Sequence, residues 1–291
     1  MKNLFAKIIL VPVLVSLLAG CIQQAPAGNT ISPAPTVSAP QELRLATTTS
    51  TCDTGLLDVL NKKFEEENNI KIFTLCDGTG KAIATGELGA ADVVMVHAVQ
   101  AELKAVANGS FINRSYMMYN YFVIIGPEND PAGVKNASNA ADAFRSIAAK
   151  QVPFISRGDD SGTHQMEKSI WKAASVTPAG AWYQSVGKGM GETITTADTR
   201  GVYTLSDRGT YLAMKDRIKL KILFKSDQTY LFNPYHVMAV NPAKFPNVKY
   251  DLALKYIDYV ISPQGQDIIG SFGRDKYGEA LFTPTADINE Q

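Results

Sequence analysis

The sequence predicts an α/β fold of two lobes, and three observations carry this prediction. Short apolar strands alternate with polar turns and amphipathic helices from Leu43 onward, a pattern that is typical of βαβ units with a mainly parallel sheet. The dipeptide Gly126-Pro127 interrupts this alternation and indicates a lobe boundary. A later apolar strand at residues 235–240 is placed to return the chain to the first lobe, and two crossing strands make a hinge.

The N-terminal segment is predicted to direct the chain to a membrane. Lys2 and Lys7 precede an apolar run at residues 8–18, which is too short for a mature membrane span and is typical of a signal peptide covering residues 1–20. The run ends in LLAGC, which is similar to the lipobox of prokaryotic lipoproteins, so that Cys21 would carry the lipid. An ordinary signal-peptidase site is the alternative.

Residues 21–40 are predicted to form a lipid-anchored linker, because they are rich in Pro and Ala and lack apolar periodicity. A protein with these segments would be held at the outer face of the cytoplasmic membrane or in the periplasm. Its folded part would face solvent.

The first lobe is predicted from residues 41–126 together with residues 230–291. Its first helix shows the clearest pattern, because Leu56, Leu60 and Phe64 fall on one face. We expect, in order, strand 43–46, a helix from residue 56 that ends at Asn68-Asn69, strand 70–75, helix 81–88, strands 92–96 and 117–125 and, near the C-terminus, helices after Leu252 and Pro263.

The second lobe is predicted from residues 127–229. We expect helix 140–149, strand 152–155, a helix through Trp171, a short strand at Tyr203 and helix 211–215. Between the second and third of these elements lies the polar segment SRGDDSGTH at residues 156–164. It combines a fixed positive charge, glycines and hydroxyls just before a helix, which is the chemistry of an anion cradle.

Charge and cysteine content exclude several classes of function. Lys plus Arg and Asp plus Glu both number 28, so the chain has no global positive field of the kind that recruits nucleic acid. The three histidines are scattered without ligand spacing, which argues against a zinc site. With Cys21 assigned to lipid, Cys52 and Cys76 remain as an even pair in an oxidising location, and we predict a disulfide between them.

Polar turns follow the predicted strands at residues 47–51, 78–80, 157–163 and 206–210. If the two lobes close face to face at their strand ends, these turns converge on a small anion. Each turn also has a simpler explanation as a helix cap or an exposed strand end. The sequence therefore predicts a local oxyanion site but leaves the capping alternative open for each turn.

The chain from Leu43 to Phe282 resembles the TupA-type tungstate-binding proteins of ABC transporters. The matching segments are ATTTSTCDTGLL, DGTGKAI, ADVVMVHA, MYNYFVIIGPENDPAG, SRGDDSGTH, WYQSVGKGMGET, TLSDRGTY and NPYHVMAVNP. The resemblance implies a type II periplasmic-binding-protein fold with an oxyanion in the cleft, no cofactor and no coordinated metal cation. It further implies delivery of the ion to the ABC permease by a monomer.

The same resemblance implies the ligand residues. The turn at residues 47–50 matches the family's hydroxyl turn, and Arg157 matches the family's essential arginine. Arg208 has an alternative role, which is to brace the two lobes. The candidate oxyanion ligands are Thr48, Thr49, Ser50, Thr79, Arg157, Ser161, Gly162, Thr163 and Arg208.

The choice of anion depends on two acidic residues in the cradle. Asp159 or Asp160 facing the ion would favour protonated phosphate, because a carboxylate repels the proton-free anions tungstate, molybdate and sulfate. If both side chains cap the helix or pair with surface cations, that preference disappears. Binding proteins for molybdate, phosphate or sulfate remain alternatives.

Two other classes of function are weaker alternatives. A serine hydrolase is disfavoured because Ser161 does not stand at the G-x-S-x-G spacing. Trp171, Trp182 and Tyr183 offer rings on which an organic solute could stack, although such residues more often pack a core.

Overall fold

Strands that end in polar turns and continue as helices recur along the chain. The structure, a computed structural model, describes residues 39–225 and 227–285, so the predicted signal peptide, Cys21 and most of the predicted linker lie outside the described residues. The first elements are β1 (Gln41–Thr48), α1 (Thr49–Asp53), α2 (Leu56–Asn68), β2 (Ile70–Asp77), α3 (Thr79–Glu87), β3 (Val93–Val96), α4 (Val99–Ala107), β4 (Phe111–Gly126) and α5 (Ala140–Ala149).

The second part of the chain continues the alternation and then ends in helices. Its elements are β5 (Phe154–Ser156), α6 (Gly162–Ala173), β6 (Tyr183–Ser185), α7 (Met190–Arg200), β7 (Tyr203–Asp207), α8 (Arg208–Met214), β8 (Lys221–Phe224), β9 (Phe232–Val240), α9 (Tyr250–Ile261), α10 (Pro263–Ser271), α11 (Arg274–Tyr277) and β10 (Thr283–Pro284). Among the described residues, none of these helices combines the length and apolarity needed to cross a membrane.

The strands form two sheets that share β4. The first sheet has the order β2-β1-β3-β9-β4, with β10 also paired to β4. The second sheet has the order β4-β7-β5-β6, with β8 also paired to β4. Residues 111–121 of β4 pair with β9, whereas residues 122–126 pair with β7 and β8, so this strand passes from one sheet into the other.

The sheets are parallel only in their outer parts. β1 pairs in parallel with β2 and β3, and β5 pairs in parallel with β6 and β7. All pairings of β4 and β9 are antiparallel. The prediction of a mainly parallel sheet is therefore wrong for the central strands, because β4 leads out of the first sheet and β9 leads back beside it.

Several elements differ from the sequence prediction for local reasons. β4 begins at Phe111 instead of residue 117, because two register shifts in its pairing with β9 hide the alternation of its side chains. Helix α7 was not predicted, since its threonines have low helix propensity. In the structure the Thr195, Thr196 and Thr199 hydroxyls each donate to the carbonyl four residues earlier.

The aromatic residues of the second sheet pack against one another as a core. The ring of Trp171 lies 4.3 Å from Phe144 and 5.4 Å from Phe154, and Trp171 is 2% exposed. Trp182 and Tyr183 pack edge-on against the same indole. These contacts favour the packing explanation over a platform for an organic solute.

Candidate functional site

The starts of helices α1, α3 and α6 meet where strands of the two sheets end. A terminal nitrogen of Arg157, Nη2, donates to Thr49 Oγ1 at 3.1 Å, and the N–H of Gly162 donates to Thr79 Oγ1 at 2.9 Å. Each contact joins a residue of the first sheet's turns to one that follows β5. We call Thr48, Thr49, Ser50 and Thr79 the first half-site, and Arg157, Ser161, Gly162 and Thr163 the second half-site.

Arg157 provides the charge of the second half-site. Its side chain is 1% exposed, although arginine is seldom fully buried without partners for its donors. Nη2 donates to Thr49 and to Asp159 Oδ2, the latter at 2.5 Å. Nε and Nη1 are buried and have no hydrogen-bond partner in the described part of the chain. Unpartnered donors on a buried cation indicate a place for an anionic acceptor.

Thr163 adds a second unpartnered group. Its side chain is 1% exposed, and Oγ1 has no hydrogen-bond partner within residues 39–225 and 227–285. Thr163 lies in the first turn of α6, whose cap is Ser161, and the Ser161 hydroxyl accepts from the N–H of His164 at 3.3 Å. Ser161 therefore has a capping role, while Thr163 keeps a donor for a ligand.

The first half-site is a network of hydroxyls. Thr48 ends β1 and caps α1, and its Oγ1 lies 3.1 Å from Ser50 Oγ and 2.7 Å from Thr51 Oγ1. The predicted disulfide is confirmed, and it joins α1 to the end of β2 through Cys52 and Cys76, whose Cα atoms are 6.3 Å apart. The bond therefore ties the Thr48–Ser50 turn to the strand that leads into Thr79.

The two acidic residues of the cradle point in different directions. Asp159 Oδ2 accepts from Arg157, and Oδ1 accepts from the Ser161 N–H at 3.2 Å. The side chain of Asp160 is 63% exposed and pairs with Lys168 at 2.9 Å. Asp159 therefore contacts two residues of the second half-site, whereas Asp160 takes part in a surface ion pair.

Arg208 is not brought to the cluster. Its guanidinium forms an ion pair with Glu279, and its side chain is 24% exposed. This ion pair favours the bracing role over the role of an oxyanion ligand, because the charge of Arg208 already has a partner in the C-terminal segment. Asp207, which precedes it, caps α8 by accepting from the N–H and hydroxyl of Thr210.

Sequence reasoning missed His97, which lies beside both half-sites. The residue is 4% exposed, and its Nε2 lies 3.1 Å from Ser50 Oγ. Burial lowers the pKa of His97 to about 4, and the charge of Arg157 acts in the same direction. A hydrogen bond to Asn233 and the charge of Asp159 oppose this shift in pKa. Its position directly after β3, at a strand end, was the signal that could have revealed it.

A neighbouring cavity is less suited to an anion. It has a volume of about 680 Å³ and is lined by residues that include Thr49, Asp53, Glu192 and Arg217. Two carboxylates against one guanidinium disfavour a doubly charged anion there. Within the described residues, no group of three or more His, Cys, Asp or Glu side chains is arranged to hold a metal ion.

Comparison with known proteins places the chain in a family. Residues 33–264 match the PBP superfamily domain. The tungstate-binding protein TupA of Peptoclostridium acidaminophilum is 41% identical over 289 residues, which are 98% of this chain and 99% of that protein. The chain belongs to the TupA family of tungstate-binding proteins.

Two solved structures of this family agree with the fold. The tungstate ABC transporter structure from Geobacter sulfurreducens is 54% identical with a TM-score of 0.73, covering 79% of this chain and 98% of that one. Tungstate-binding protein TupA from Desulfovibrio alaskensis G20 is 46% identical with a TM-score of 0.70, covering 85% of this chain and 100% of that one.

Family membership confirms the predicted fold class. The chain has the two-lobed α/β fold of type II periplasmic binding proteins, in which β4 passes from the first sheet into the second and β9 pairs beside it in the first. The family consists of solute-binding proteins, and this confirms the prediction that the chain is not an enzyme.

Proposed function

We propose that this protein captures tungstate outside the cytoplasm and delivers it to the membrane permease of an ABC importer. The observation that carries the proposal is the buried guanidinium of Arg157, which donates to the Thr49 hydroxyl and has two nitrogens without a partner among the described residues. Asp159 accepts from Nη2 of this guanidinium, and the remaining buried donors, Nε and Nη1, favour a further anionic acceptor. The names of the relatives, which are tungstate-binding proteins, support tungstate as that partner.

The donors available to the ion come from both half-sites. Thr49 Oγ1 and Thr79 Oγ1 already accept a hydrogen bond from the second half-site, so each hydroxyl keeps its own proton for a ligand. Thr163 and Arg157 add unpartnered donors. At about 1 kcal/mol for a neutral hydrogen bond and about twice that for a charged one, such a set is consistent with binding at about micromolar concentration or tighter.

We assign residues 41–126 and 230–291 to the first lobe and residues 127–229 to the second. The ion contacts both half-sites only when these lobes are closed, so binding favours the closed state. That closed state is the form we expect the permease to recognise.

Attachment to the membrane is part of the same proposal. Residues 1–20 would be removed as a signal peptide, Cys21 would carry the lipid, and the linker up to residue 40 would leave the folded part free to reach the permease as a monomer. Mass spectrometry of the membrane fraction tests this step. A mature chain that begins at a lipid-modified Cys21 supports it, and an unmodified N-terminus contradicts it.

The direction of Asp159 removes one reason to prefer a protonated anion. Both of its oxygens accept from donors of the protein, Arg157 and the Ser161 N–H, instead of facing an incoming protonated oxygen. Hydrogen phosphate therefore gains no acceptor from this carboxylate. Molybdate has the same charge as tungstate and is the second candidate ligand.

Competition titration tests the proposed function. Isothermal calorimetry of the protein with tungstate should show one site, and molybdate should compete more strongly than sulfate or phosphate. A sugar and an amino acid serve as negative controls. Absence of heat with tungstate, or displacement of tungstate by equimolar phosphate, would contradict the proposal.

A further inference from the structure

His97 connects the first half-site to β9 and, through β9, to β4, the hinge strand that passes between the two sheets. On one side its Nε2 lies 3.1 Å from Ser50 Oγ. On the other side its Nδ1 lies 2.8 Å from Oδ1 of Asn233 in β9, and Asn233 Nδ2 donates to Oδ1 of Asn120 in β4 at 2.6 Å. A single buried chain of hydrogen bonds therefore runs from a ligand turn to the hinge.

Packing holds the His97 ring in place. It stacks on Tyr235 of β9, with ring centroids 4.5 Å apart and planes inclined by 16°. The backbone of Gly162 crosses the ring so closely that a Cβ at this position would lie 2.8 Å from two ring atoms. The ring therefore contacts β9 and the second half-site at once, and an opening that separates the two half-sites changes this contact.

The direction of each hydrogen bond follows from counting protons. Because Asn233 uses its Nδ2 to donate to Asn120, its Oδ1 accepts, and the His97 Nδ1 must carry the proton. The buried ring is neutral near pH 7, since its pKa is lowered to about 4. Its Nε2 then has a lone pair, and the Ser50 hydroxyl donates to it.

The charged groups around the ring are Arg157 and Asp159. Arg157 lowers the pKa of His97, whereas Asp159 raises it, and the two are bonded to each other. Their opposed effects leave burial as the main reason for a neutral ring. The neutral state is therefore a consequence of where the ring lies in the fold.

We propose that His97 is a positioning residue that ties the first half-site to β4 and β9 and directs the Ser50 hydroxyl proton to its own Nε2, away from the ion. The inference rests on the proposed oxyanion function. Ser50 then shapes the turn, while Thr49 and Thr79 donate to the ion. The hydroxyls of the first half-site therefore have different roles, although the sequence alone gives no reason to distinguish them.

Imidazole nitrogen spectra test the proton assignment directly. Full-length protein labelled with ¹⁵N-histidine has three histidines, and the His97→Gln variant identifies the His97 signals. We expect the neutral Nδ1–H form from about pH 8 to about pH 6, with and without tungstate. An Nε2–H form in either state, or a doubly protonated ring, would overturn the inference.

Coupling between variants tests whether His97 acts through Ser50. We expect Ser50→Ala to weaken tungstate binding about threefold, and His97→Gln and Thr49→Val about tenfold each. The double variant His97→Gln with Ser50→Ala should bind no more weakly than His97→Gln alone. Multiplied losses, or a larger loss for Ser50→Ala than for Thr49→Val, would contradict the proposal.

A matched control and a second variant complete the test. His236 is also fully buried and stacked on a tyrosine, Tyr116, and its Nδ1 lies 2.8 Å from Glu102 Oε2. His236→Gln should leave tungstate affinity unchanged, and a loss matching that of His97→Gln would contradict the assignment. Should His97→Gln fail to fold, His97→Asn takes its place, because its side chain reaches Asn233 but not Ser50. In the His97→Asn background, Ser50→Ala should then cause no further loss of tungstate affinity. Failure of the unmodified protein to bind tungstate would instead refute the proposed function.

Discussion

The two half-sites differ in how their polar groups are satisfied. The first half-site is neutral, its hydroxyls bond to one another and to His97, and a disulfide joins its turn to β2. The second half-site contains the buried charge of Arg157, and within residues 39–225 and 227–285 two nitrogens of Arg157 and the Thr163 hydroxyl have no hydrogen-bond partner. One side is prearranged, and the other has buried donors that the described residues leave unsatisfied.

Because of this difference, we expect the two half-sites to contribute differently to the position of the ion and to the binding free energy. A prearranged half-site loses little conformational entropy when an ion arrives. Charge-assisted hydrogen bonds are about twice as strong as neutral ones, so most of the affinity is expected from the second half-site. The first half-site is expected to set the position of the ion, and changes to the two should therefore have different consequences.

Removal of the charge should have the largest effect. Arg157→Ala should weaken tungstate binding about 100-fold or more, because several charge-assisted hydrogen bonds are lost together. Arg208→Gln is the control, since Arg208 pairs with Glu279, and its affinity should stay within about twofold of the unmodified protein. Calorimetric titration of both variants checks this. Equal losses of tungstate affinity in the two variants would contradict the assignment of Arg157 to the ligand and of Arg208 to the ion pair with Glu279.

Removal of the disulfide should act mainly on stability. The bond closes a separation of 24 residues, and Cys52→Ser with Cys76→Ser should lower the free energy of unfolding by about 3 kcal/mol. Tungstate affinity should fall only about fivefold, as the first half-site becomes less ordered. Denaturant unfolding and calorimetry measure the two effects. A loss of affinity as large as that of Arg157→Ala would contradict the claim that most of the binding free energy comes from the second half-site.

Buried titratable groups beside the two half-sites should give opposite pH dependence. His97 has a pKa of about 4 when folded, so the unfolded chain binds more protons and stability rises with pH between about 4 and about 6.5. Burial raises the pKa of Glu167, which follows Thr163 by one helical turn, to about 7. The folded chain then binds more protons, and stability falls with pH between about 4.5 and about 7.

Variants separate these two slopes. His97→Gln should remove the rise, which amounts to about 2 kcal/mol between about pH 5 and about pH 6.5, and Glu167→Gln should remove the fall. Urea unfolding at several pH values in the absence of ligand checks both. If both variants changed the pH dependence of the free energy of unfolding in the same direction, the opposite effects assigned to His97 and Glu167 would be wrong.

The smallest effects should separate ligand donors from helix caps. Thr163→Val should weaken tungstate binding about fivefold with little loss of stability, because its buried hydroxyl has no partner in the described part of the chain. Ser161→Ala should instead lower the free energy of unfolding by about 1 kcal/mol, because Ser161 caps α6. Thermal unfolding and titration together check this pair. If Thr163→Val lowered stability and Ser161→Ala lowered affinity, Ser161 would be the ligand donor and Thr163 the structural residue.

Much of the fold follows from local patterns in the sequence. Apolar periodicity, caps and polar turns predicted β1, α2, β2, α3 and α5, because the sequence of each shows a short apolar pattern that ends at polar residues. The crossing of β4 between the sheets was also signalled, by Gly126-Pro127 at its end. Its full length was not, since bulges break the alternation that defines a strand.

The site was less predictable because its chemistry depends on contacts between distant residues. The cysteine count predicted the disulfide, and the resemblance predicted Arg157, whose burial the structure adds. No local pattern shows that Arg208 bonds to Glu279, 71 positions away, or that His97 bonds to Asn233. Such long-range pairs decide which polar residues of similar turns face a ligand.

The central claim is that one oxyanion is held between the two half-sites. A crystal structure of the protein with tungstate tests it most directly, since anomalous scattering locates the tungsten atom without reference to the protein. The account predicts one strong peak, with oxygens of the ion within hydrogen-bond distance of Arg157 and Thr163 on one side and Thr49 on the other. A peak outside the cluster, or one that contacts a single half-site in the closed protein, would contradict it.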